Sequence, residues 1–202
     1  MKILLVHGLG RSPLSMWGLA SALQKSGFET ELFGYAAFAE SYRQITQRLR
    51  DRCFQLSAQG TYGIVAHSLG GVLTRSALAQ VAQIPQHVVM LGTPNQPPRL
   101  AQIAWKMWPF RWFSGTCGAS LVSQNFYHAL PQLLMPYTII AGTSGPTGRL
   151  SPFGLDINDG LVAVNETKIV DADRPIKFPG IHGFMMNNPS VQARIAEALR
   201  QK

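Results

Sequence analysis

The stretch Ile64-Val65-Ala66-His67-Ser68-Leu69-Gly70-Gly71 decides the fold. It begins as a short aliphatic run typical of a buried strand and continues into a segment with the composition of a helix. A serine at such a junction needs small neighbours two positions before and after it, because the turn is sharp. Ala66 and Gly70 meet that requirement. The pattern indicates a nucleophile elbow that exposes Ser68 at the carboxyl edge of a sheet; the alternative is an ordinary strand–helix turn that Ser68 caps.

A second motif, His7-Gly8-Leu9-Gly10, follows the first aliphatic run of the chain. In acyl-transfer enzymes with a nucleophile elbow of this kind, a loop after an earlier strand directs a backbone amide at the oxyanion that develops during the reaction. Its glycines let the backbone approach a carbonyl group closely. The two motifs together predict an oxyanion hole formed by the amides of Leu9 and Leu69.

A nucleophilic serine needs a histidine base and an acid that orients the base, in the chain order serine, acid, histidine. Among the five histidines, His182 fits best, because it follows the last predicted strand and precedes the final helix. The aspartates between Ser68 and His182 are Asp156, Asp159, Asp171 and Asp173. Asp159 is the predicted acid, since it lies in the tight turn Asn158-Asp159-Gly160-Leu161-Val162, and Asp156 is the reserve candidate.

Short apolar runs alternate with helix-length segments along the rest of the chain. The predicted strands are 3–6, 29–33, 62–66, 87–91, 137–141 and 175–178, and the predicted helices are 14–26, 40–57, 69–81 and 189–199. Strands of four or five aliphatic and β-branched residues between helices predict an α/β fold, in which a parallel sheet is covered by helices on both faces.

Residues 95–135 interrupt this alternation and are expected to form a long irregular excursion like a cap or lid. Aromatic side chains are concentrated there: Trp105, Trp108, Phe110, Trp112 and Phe113, together with Met107. We hypothesise that they line an acyl-binding groove or meet a lipid surface, where Lys106 and Arg111 would favour anionic headgroups. The alternative is that these rings pack into the core of the domain.

Length and composition restrict the class of protein. A chain of 202 residues with 46% apolar residues fits one globular domain, 1–202, and excludes intrinsic disorder. Only 14% of the residues are charged, which indicates a surface suited to an apolar substrate or partner. The net charge is +8, and the tightest basic group is Arg43, Arg48, Arg50 and Arg52. This group is interpreted as a solvated helix face, and the alternative is contact with nucleic acid or an anionic membrane.

Several functional classes find no support in the sequence. It contains no zinc-finger spacing or basic tail, so nucleic acid is not an expected partner. Cys53 and Cys117 are too far apart to form a metal-binding pattern, and neither a metal nor a cofactor is expected. The first apolar run is too short for a signal peptide and no stretch is long enough to span a membrane, so a cytoplasmic protein is expected.

These motifs, taken in order, resemble the α/β-hydrolase superfamily, in particular small bacterial lipases and esterases. The resemblance rests on His7–Gly10, Ala66–Gly71, Leu91-Gly92-Thr93-Pro94, Asn158–Val162 and His182. Ala66 resembles the elbow of minimal Bacillus-type lipases, and the turn around Asp159 resembles the acid turn of Pseudomonas-type lipases. The sequence begins at the oxyanion strand and lacks the first two strands of the family, which implies a trimmed sheet of about six strands.

The resemblance implies a cofactor-free hydrolase of carboxylic esters, with lipids or small acyl compounds as substrates. An acyltransferase or a thioesterase would carry the same serine, acid and histidine, and a non-catalytic binding module on the same scaffold is a further alternative. A dinucleotide-binding site at Gly8-Leu9-Gly10 is disfavoured, because Pro13 stands where that fingerprint requires a third glycine.

Overall fold

The computed structural model of the chain describes residues 1–79, 81 and 84–201. At its centre lies one sheet whose strands run β1 (Lys2–Val6), β2 (Glu29–Phe33), β3 (Tyr62–His67), β4 (Val88–Leu91), β5 (Tyr137–Gly142) and β6 (Ile176–Phe178). The strand order is β2-β1-β3-β4-β5-β6, and every pairing between neighbours is parallel. The predicted α/β fold with about six parallel strands is confirmed.

Helices cover both faces of this sheet. They are α1 (Trp17–Lys25), α2 (Tyr42–Gln59), α3 (Leu69–Leu78), α4 (Arg99–Ala104), α5 (Trp108–Val122), α6 (Gln124–Ala129) and α7 (Pro189–Arg200), with 3-10 turns at Pro13–Met16, Val164–Thr167 and His182–Asn187. Within the described ranges, none of these helices combines the length and the apolar character that crossing a bilayer requires.

Alternate side chains of the central strands enter two separate cores. Leu4 and Ile64 pack on the side of α2 and α3, whereas Ile3, Leu5 and Val65 pack on the side of α1 and α7. All of these side chains are fully buried. This burial on both faces explains why the strands are continuous aliphatic runs rather than alternating patterns.

Local sequence signals fix the start of α2, and its basic residues are partly paired. The side chain of Ser41 accepts a hydrogen bond from the backbone of Gln44 at the start of α2, and the Gln44 side chain bonds back to Ser41, which completes a capping box. The basic side chains of α2 include Arg48 and Arg52, which form ion pairs with Glu40 and with Glu31.

The prediction of an irregular excursion over 95–135 was wrong in its local structure, because α4, α5 and α6 occupy most of it. The sequence did not indicate these helices because it has prolines at the start of the segment and at position 109, and a glycine at position 115, and these residue types disfavour helix. Pro109 stands in the first turn of α5, where its missing N–H costs nothing. Gly115 interrupts α5 with φ of +53°, so the helix is kinked rather than continuous. We refer to α4–α6 as the cap.

Candidate active site

Ser68 lies at the sharp turn between β3 and α3. Its φ of +53° and ψ of −125° are unusual for a residue with a side chain, and no other non-glycine residue in the described ranges has a positive φ. Such a conformation costs on the order of 1–3 kcal/mol and survives only where the surroundings enforce it. The N–H of Ser68 donates to the carbonyl of Leu91 on β4 at 2.9 Å, which is one such restraint.

Close backbone contacts explain the glycines on both sides of the turn. A Cβ atom on Gly70 would lie 2.5 Å from the carbonyl oxygen of His7, so α3 could not approach the end of β1 if position 70 carried a side chain. A Cβ atom on Gly8 would lie 3.0 Å from the Cβ of Ser68. The loop after β1 is therefore in van der Waals contact with the serine, as an oxyanion loop requires.

His182 and Asp159 form a buried pair. The Nδ1–H of His182 donates to Oδ2 of Asp159 at 2.7 Å, and the backbone N–H of His182 donates to the Asp159 carbonyl at 2.9 Å. Oδ1 of Asp159 accepts from the backbone amides of Leu161 and Val162, at 3.0 and 2.7 Å. Both carboxylate oxygens are thus satisfied, and Nε2 of His182 stays available to the pocket that this histidine shares with Ser68.

The reserve acid has a different environment. Oδ2 of Asp156 accepts from Nη2 of Arg99 at 2.7 Å, and the Asp156 side chain is about half exposed. The structure therefore brings Asp159 to His182 and places Asp156 in an ion pair at the base of the cap.

His67, which the sequence interpretation passed over as a neighbour of the nucleophile, packs against His182. The ring centroids are 4.7 Å apart, and Nε2–H of His67 donates to the carbonyl of His182 at 3.0 Å. Burial, together with the nearby His182 ring, holds the pKa of His67 well below its usual value. A neutral His67 with its proton on Nε2 thus connects the elbow to the loop that carries the candidate base.

The loop after β1 is held by a second histidine. Nδ1–H of His7 donates to the carbonyl of Gly8 at 2.9 Å, and its Nε2 accepts the backbone N–H of Tyr35 at 3.3 Å. The Tyr35 hydroxyl donates to the carbonyl of His7, and the two rings are stacked 4.2 Å apart. Burial lowers the pKa of His7, which favours the neutral ring that this pattern needs. Leu9 then lines the pocket, and Leu69 is the first residue of α3.

Ser68 and His182 line a cavity of about 390 Å³ between the sheet edge and the cap. Apolar side chains dominate the cap side of its lining: Pro98, Leu100, Ala101, Phe110, Phe113 and Leu121. Leu161 and Val162, which follow Asp159, also line it. A cavity of this size and character suits a short acyl chain or a small apolar ester.

The predicted substrate-binding aromatics are distributed differently from the expectation. Phe110 lines the cavity, whereas Trp108 and Trp112 are 75% and 72% exposed and do not line it. Trp105 is half-buried beneath α5, where it packs edge-on against Phe110 with ring centroids 6.4 Å apart. Of the six side chains predicted to line the groove, Phe110 and Phe113 therefore belong to the cavity wall. The alternative of a core role fails for Met107, Trp108 and Trp112, which are exposed.

Two buried polar groups that sequence reasoning missed hold the cap in place. Arg75 on α3 is 3% exposed; it donates to Oδ1 of Asn95 at 3.0 Å and to the carbonyl of Pro131 at 2.8 Å, and burial lowers its pKa to about 10. Glu166 accepts from the backbone N–H and from Nε of Arg99, at 3.0 and 2.9 Å. The partners that tie these two groups to the cap segment lie far away in the sequence, so no local motif marks those contacts.

The cysteines do not contribute to the site. Cys53 and Cys117 are both buried and free, and burial raises the pKa of each thiol to about 12. Among the described residues, no cluster of three or more His, Cys, Asp or Glu side chains has the arrangement of a metal site.

Comparison with known proteins agrees with this architecture. Solved structures with a similar fold include the Bacillus licheniformis lipase BlEst2, whose propeptide form is 21% identical with a TM-score of 0.74. The alignment covers all of this chain and 50% of that form, and for the mature form it covers 98% and 91%, with 20% identity and a TM-score of 0.71.

Two further solved structures have the same fold at lower identity. Phospholipase PlaB from Legionella pneumophila is 14% identical with a TM-score of 0.73, over all of this chain and 60% of PlaB. The RedJ thioesterase from Streptomyces coelicolor is 11% identical with a TM-score of 0.62, over 98% of this chain and 85% of RedJ. The chain thus spans only half to three fifths of the BlEst2 propeptide form and of PlaB.

A family model supplies the assignment that these low identities cannot. No curated protein sequence matches the chain significantly. The model that describes the alpha/beta hydrolase fold matches residues 2–125, which include the loop after β1, the elbow and most of the cap. The chain belongs to the α/β-hydrolase fold family.

Proposed function

We propose that the protein is a serine hydrolase that cleaves carboxylic esters through Ser68, His182 and Asp159. The observation that carries this proposal is the buried hydrogen bond between Asp159 and His182 beside a strained serine in one apolar cavity. Lipase and esterase structures among the similar folds support the same reaction class.

The reaction begins when Oγ of Ser68 attacks the ester carbonyl carbon and its proton passes to Nε2 of His182. Asp159 keeps the other ring nitrogen protonated and stabilises the imidazolium that forms. The tetrahedral intermediate collapses, the bond to the alcohol oxygen breaks, and His182 returns the proton to the departing alcohol. Water then attacks the acyl-enzyme with His182 again as the base, which releases the acid and restores Ser68.

The oxyanion of each tetrahedral intermediate would be stabilised by the amides of Leu9 and Leu69. The Leu69 amide lies at the start of α3, where the partial positive charge of the helix reinforces it. Each such donor contributes about 3 kcal/mol to transition-state stabilisation. The contact between Gly8 and Ser68 supports a loop position close enough for the neighbouring Leu9 amide to take part.

A thioesterase or an acyltransferase is the second candidate. The same attack on a thioester carbonyl would release a thiol, and a transferase would replace water by an acceptor alcohol. RedJ is a thioesterase of the same fold, which favours testing thioesters beside oxygen esters. A non-catalytic binding module would retain the cavity but would not acylate.

Contact with an anionic lipid surface forms the final part of this proposal. Most of the exposed large apolar side chains lie in the connections that begin at the carboxyl ends of the strands. They are Leu14, Trp17, Phe38, Ile103, Met107, Trp108, Trp112, Phe113, Leu150, Leu155, Ile157, Leu161, Ile181 and Phe184. In the cap, Lys106 and Arg111 are exposed beside Trp108 and Trp112. Aromatic side chains mixed with cations suit an interface of anionic headgroups and acyl chains.

The test is intact-mass labelling with a fluorophosphonate. We expect one adduct on the wild type, none on Ser68→Ala, and wild-type labelling on Ser144→Ala, a change at an exposed serine outside the cavity. Butyrate and octanoate esters and their thioester counterparts then identify the leaving group. The absence of an adduct on folded wild-type protein, with and without detergent, would contradict the hydrolase and favour the binding module.

A further inference from the structure

A second cavity lies on the far side of Phe113 from Ser68. It has a volume of about 460 Å³ and is lined by Gly10, Arg11, Tyr35, Ala36 and Phe38, among others. Phe113 and Arg11 line both cavities. The two spaces are therefore neighbours that share one aromatic ring and one guanidinium group.

Arg11 alone, among the described residues that line these cavities, carries a permanent charge. Its Nη2 donates to the carbonyl of Gly183, next to His182, at 3.1 Å. The ion pairs found in the described ranges do not include Arg11. A guanidinium has five N–H donors in a fixed plane, so one bond to Gly183 orients Arg11 and leaves other donors for a ligand.

The position of Arg11 relates this charge to the reaction. It lies two residues after Leu9, whose amide is the proposed oxyanion donor. Its charge is also close enough to contribute to the low pKa of His67, after burial and the His182 ring. An anion bound by Arg11 would therefore lie beside the scissile ester and not at a remote surface.

We propose that the cavity beyond Phe113 binds the alcohol part of the ester and that Arg11 binds a carboxylate or phosphate group carried on that alcohol. This inference rests on the proposed function and names its substrate class. The cavity at Ser68 is lined by Pro98, Leu100 and Leu121, and the described residues on its cap side include no cation, so it suits the apolar acyl chain. The anionic alcohol then leaves on the side where Arg11 and the second cavity lie.

The binding experiment uses no turnover. The probe is 4-butoxybenzoate, an ether that cannot be hydrolysed, and its uncharged methyl ester is the matched partner. Calorimetry on Ser68→Ala should give tighter binding of the carboxylate, and adding Arg11→Gln should reduce that preference about tenfold, a typical value for one charge-assisted hydrogen-bonded contact. Arg11→Lys keeps the charge but loses the planar fork, so we expect an intermediate preference.

The hydrolysis experiment compares butyrate esters of 4-hydroxybenzoate and of its methyl ester. The ratio of their kcat/KM values should fall about tenfold in Arg11→Gln. Arg149→Gln removes an exposed arginine that lines neither cavity, so it controls for the general positive field. A carboxylate placed instead on the acyl part, as in a succinate monoester, should not show this dependence.

Three outcomes would overturn the inference: an unchanged preference in Arg11→Gln, an equal loss in Arg149→Gln, or a dependence confined to acyl-side anions. Failure of the proposed hydrolase is a separate result, because it would abolish labelling of Ser68 while the binding preference of the ether probe persists. Soluble dihexanoyl phosphatidic acid and vesicles of its dioleoyl analogue distinguish a free anionic ester from a lipid headgroup as the source of the phosphate.

Discussion

The two walls of the candidate active site are built in opposite ways. On the sheet side, Asp159 and His182 are almost fully buried, and backbone hydrogen bonds hold their loops. On the cap side, α4 buries no residue, and the outer face of α5 carries two tryptophans that are about three quarters exposed. The comparison indicates that the wall that would carry the chemistry is fixed by buried bonds, whereas the wall that would select substrates is buried only along its inner face.

Helix α5 illustrates the second kind of wall. Its buried positions are Ser114, Cys117, Gly118 and Leu121, which follow the spacing of one helix face. These residues are mostly small, whereas the bulky Trp108 and Trp112 project outward. An ordinary surface helix has the reverse arrangement. The small inner face lets α5 lie close to the domain and leaves its aromatic face exposed.

The largest effect should come from the carboxylate that contacts the base. Asp159→Asn keeps the shape but reverses the hydrogen bonding at Nδ1 of His182, so the ring adopts the wrong tautomer. We expect kcat on a soluble butyrate ester to fall about 10⁴-fold, as with the corresponding change in other serine triads.

Asp156→Asn is the matched control, since it changes an aspartate three positions earlier that bonds to Arg99. Its kcat should stay within about threefold of the wild type, because a half-exposed ion pair contributes little. Equal losses in the two variants would remove the distinction between the buried acid and its exposed neighbour.

A smaller effect is expected in the pH dependence of stability. The pKa of His67 in the folded protein lies well below 6.5, and burial also lowers those of His7 and His87. Below pH 6.5 the unfolded chain binds protons that the native protein does not, so the free energy of unfolding falls with decreasing pH. Each such histidine contributes up to about 1.4 kcal/mol per pH unit until its folded pKa is reached.

His67→Gln retains a side-chain donor toward the His182 carbonyl but removes the titrating ring. Urea denaturation between pH 7.5 and 5 should therefore show a slope shallower by up to about 1.4 kcal/mol per pH unit than that of the wild type. His128→Gln changes an exposed histidine and should retain the wild-type slope. A parallel decline in all three proteins would contradict a neutral, buried His67.

Much of the sheet wall could be predicted from the sequence, because its rules are local. Small residues at 66 and 70 are required by the elbow itself, and the structure shows the contact that excludes a side chain from Gly70. The strands were predicted to within one residue at each end. The central strands β1 and β4 were recognisable because strands buried on both faces are plain aliphatic runs. Asp159 was preferred to Asp156 on the basis of a turn motif, and the structure brings Asp159 to His182.

The cap could not be predicted in the same way. A helix with apolar residues all round has no periodicity that identifies its buried face, so the orientations of Trp108 and Trp112 were undetermined. Arg75 and Glu166 act through backbone carbonyls and an arginine that are distant in sequence, and only the folded chain brings those partners together. Arg11 gave no signal, because its relation to the cavity depends on where Gly183 and Phe113 come to lie.

The smallest effect is expected from the exposed face of the cap. Trp108→Ala combined with Trp112→Ala should weaken binding to anionic vesicles about tenfold, because two interfacial rings lose part of their transfer free energy. The two rings lie outside the cavity. Hydrolysis of long-chain esters presented in vesicles should therefore decline far more than hydrolysis of a soluble acetate ester.

The matched control is Phe54→Ala with Leu134→Ala, since both side chains are apolar, more than two thirds exposed and outside the cap. Equal losses on both esters would assign the tryptophans to the catalytic domain's integrity, and equal vesicle binding in the control pair and the tryptophan pair would remove the lipid-facing role. A loss confined to vesicles would instead show that the exposed face of α5 acts before the ester reaches Ser68. The buried sheet wall would then carry the chemistry, and the exposed cap wall would bind the lipid surface.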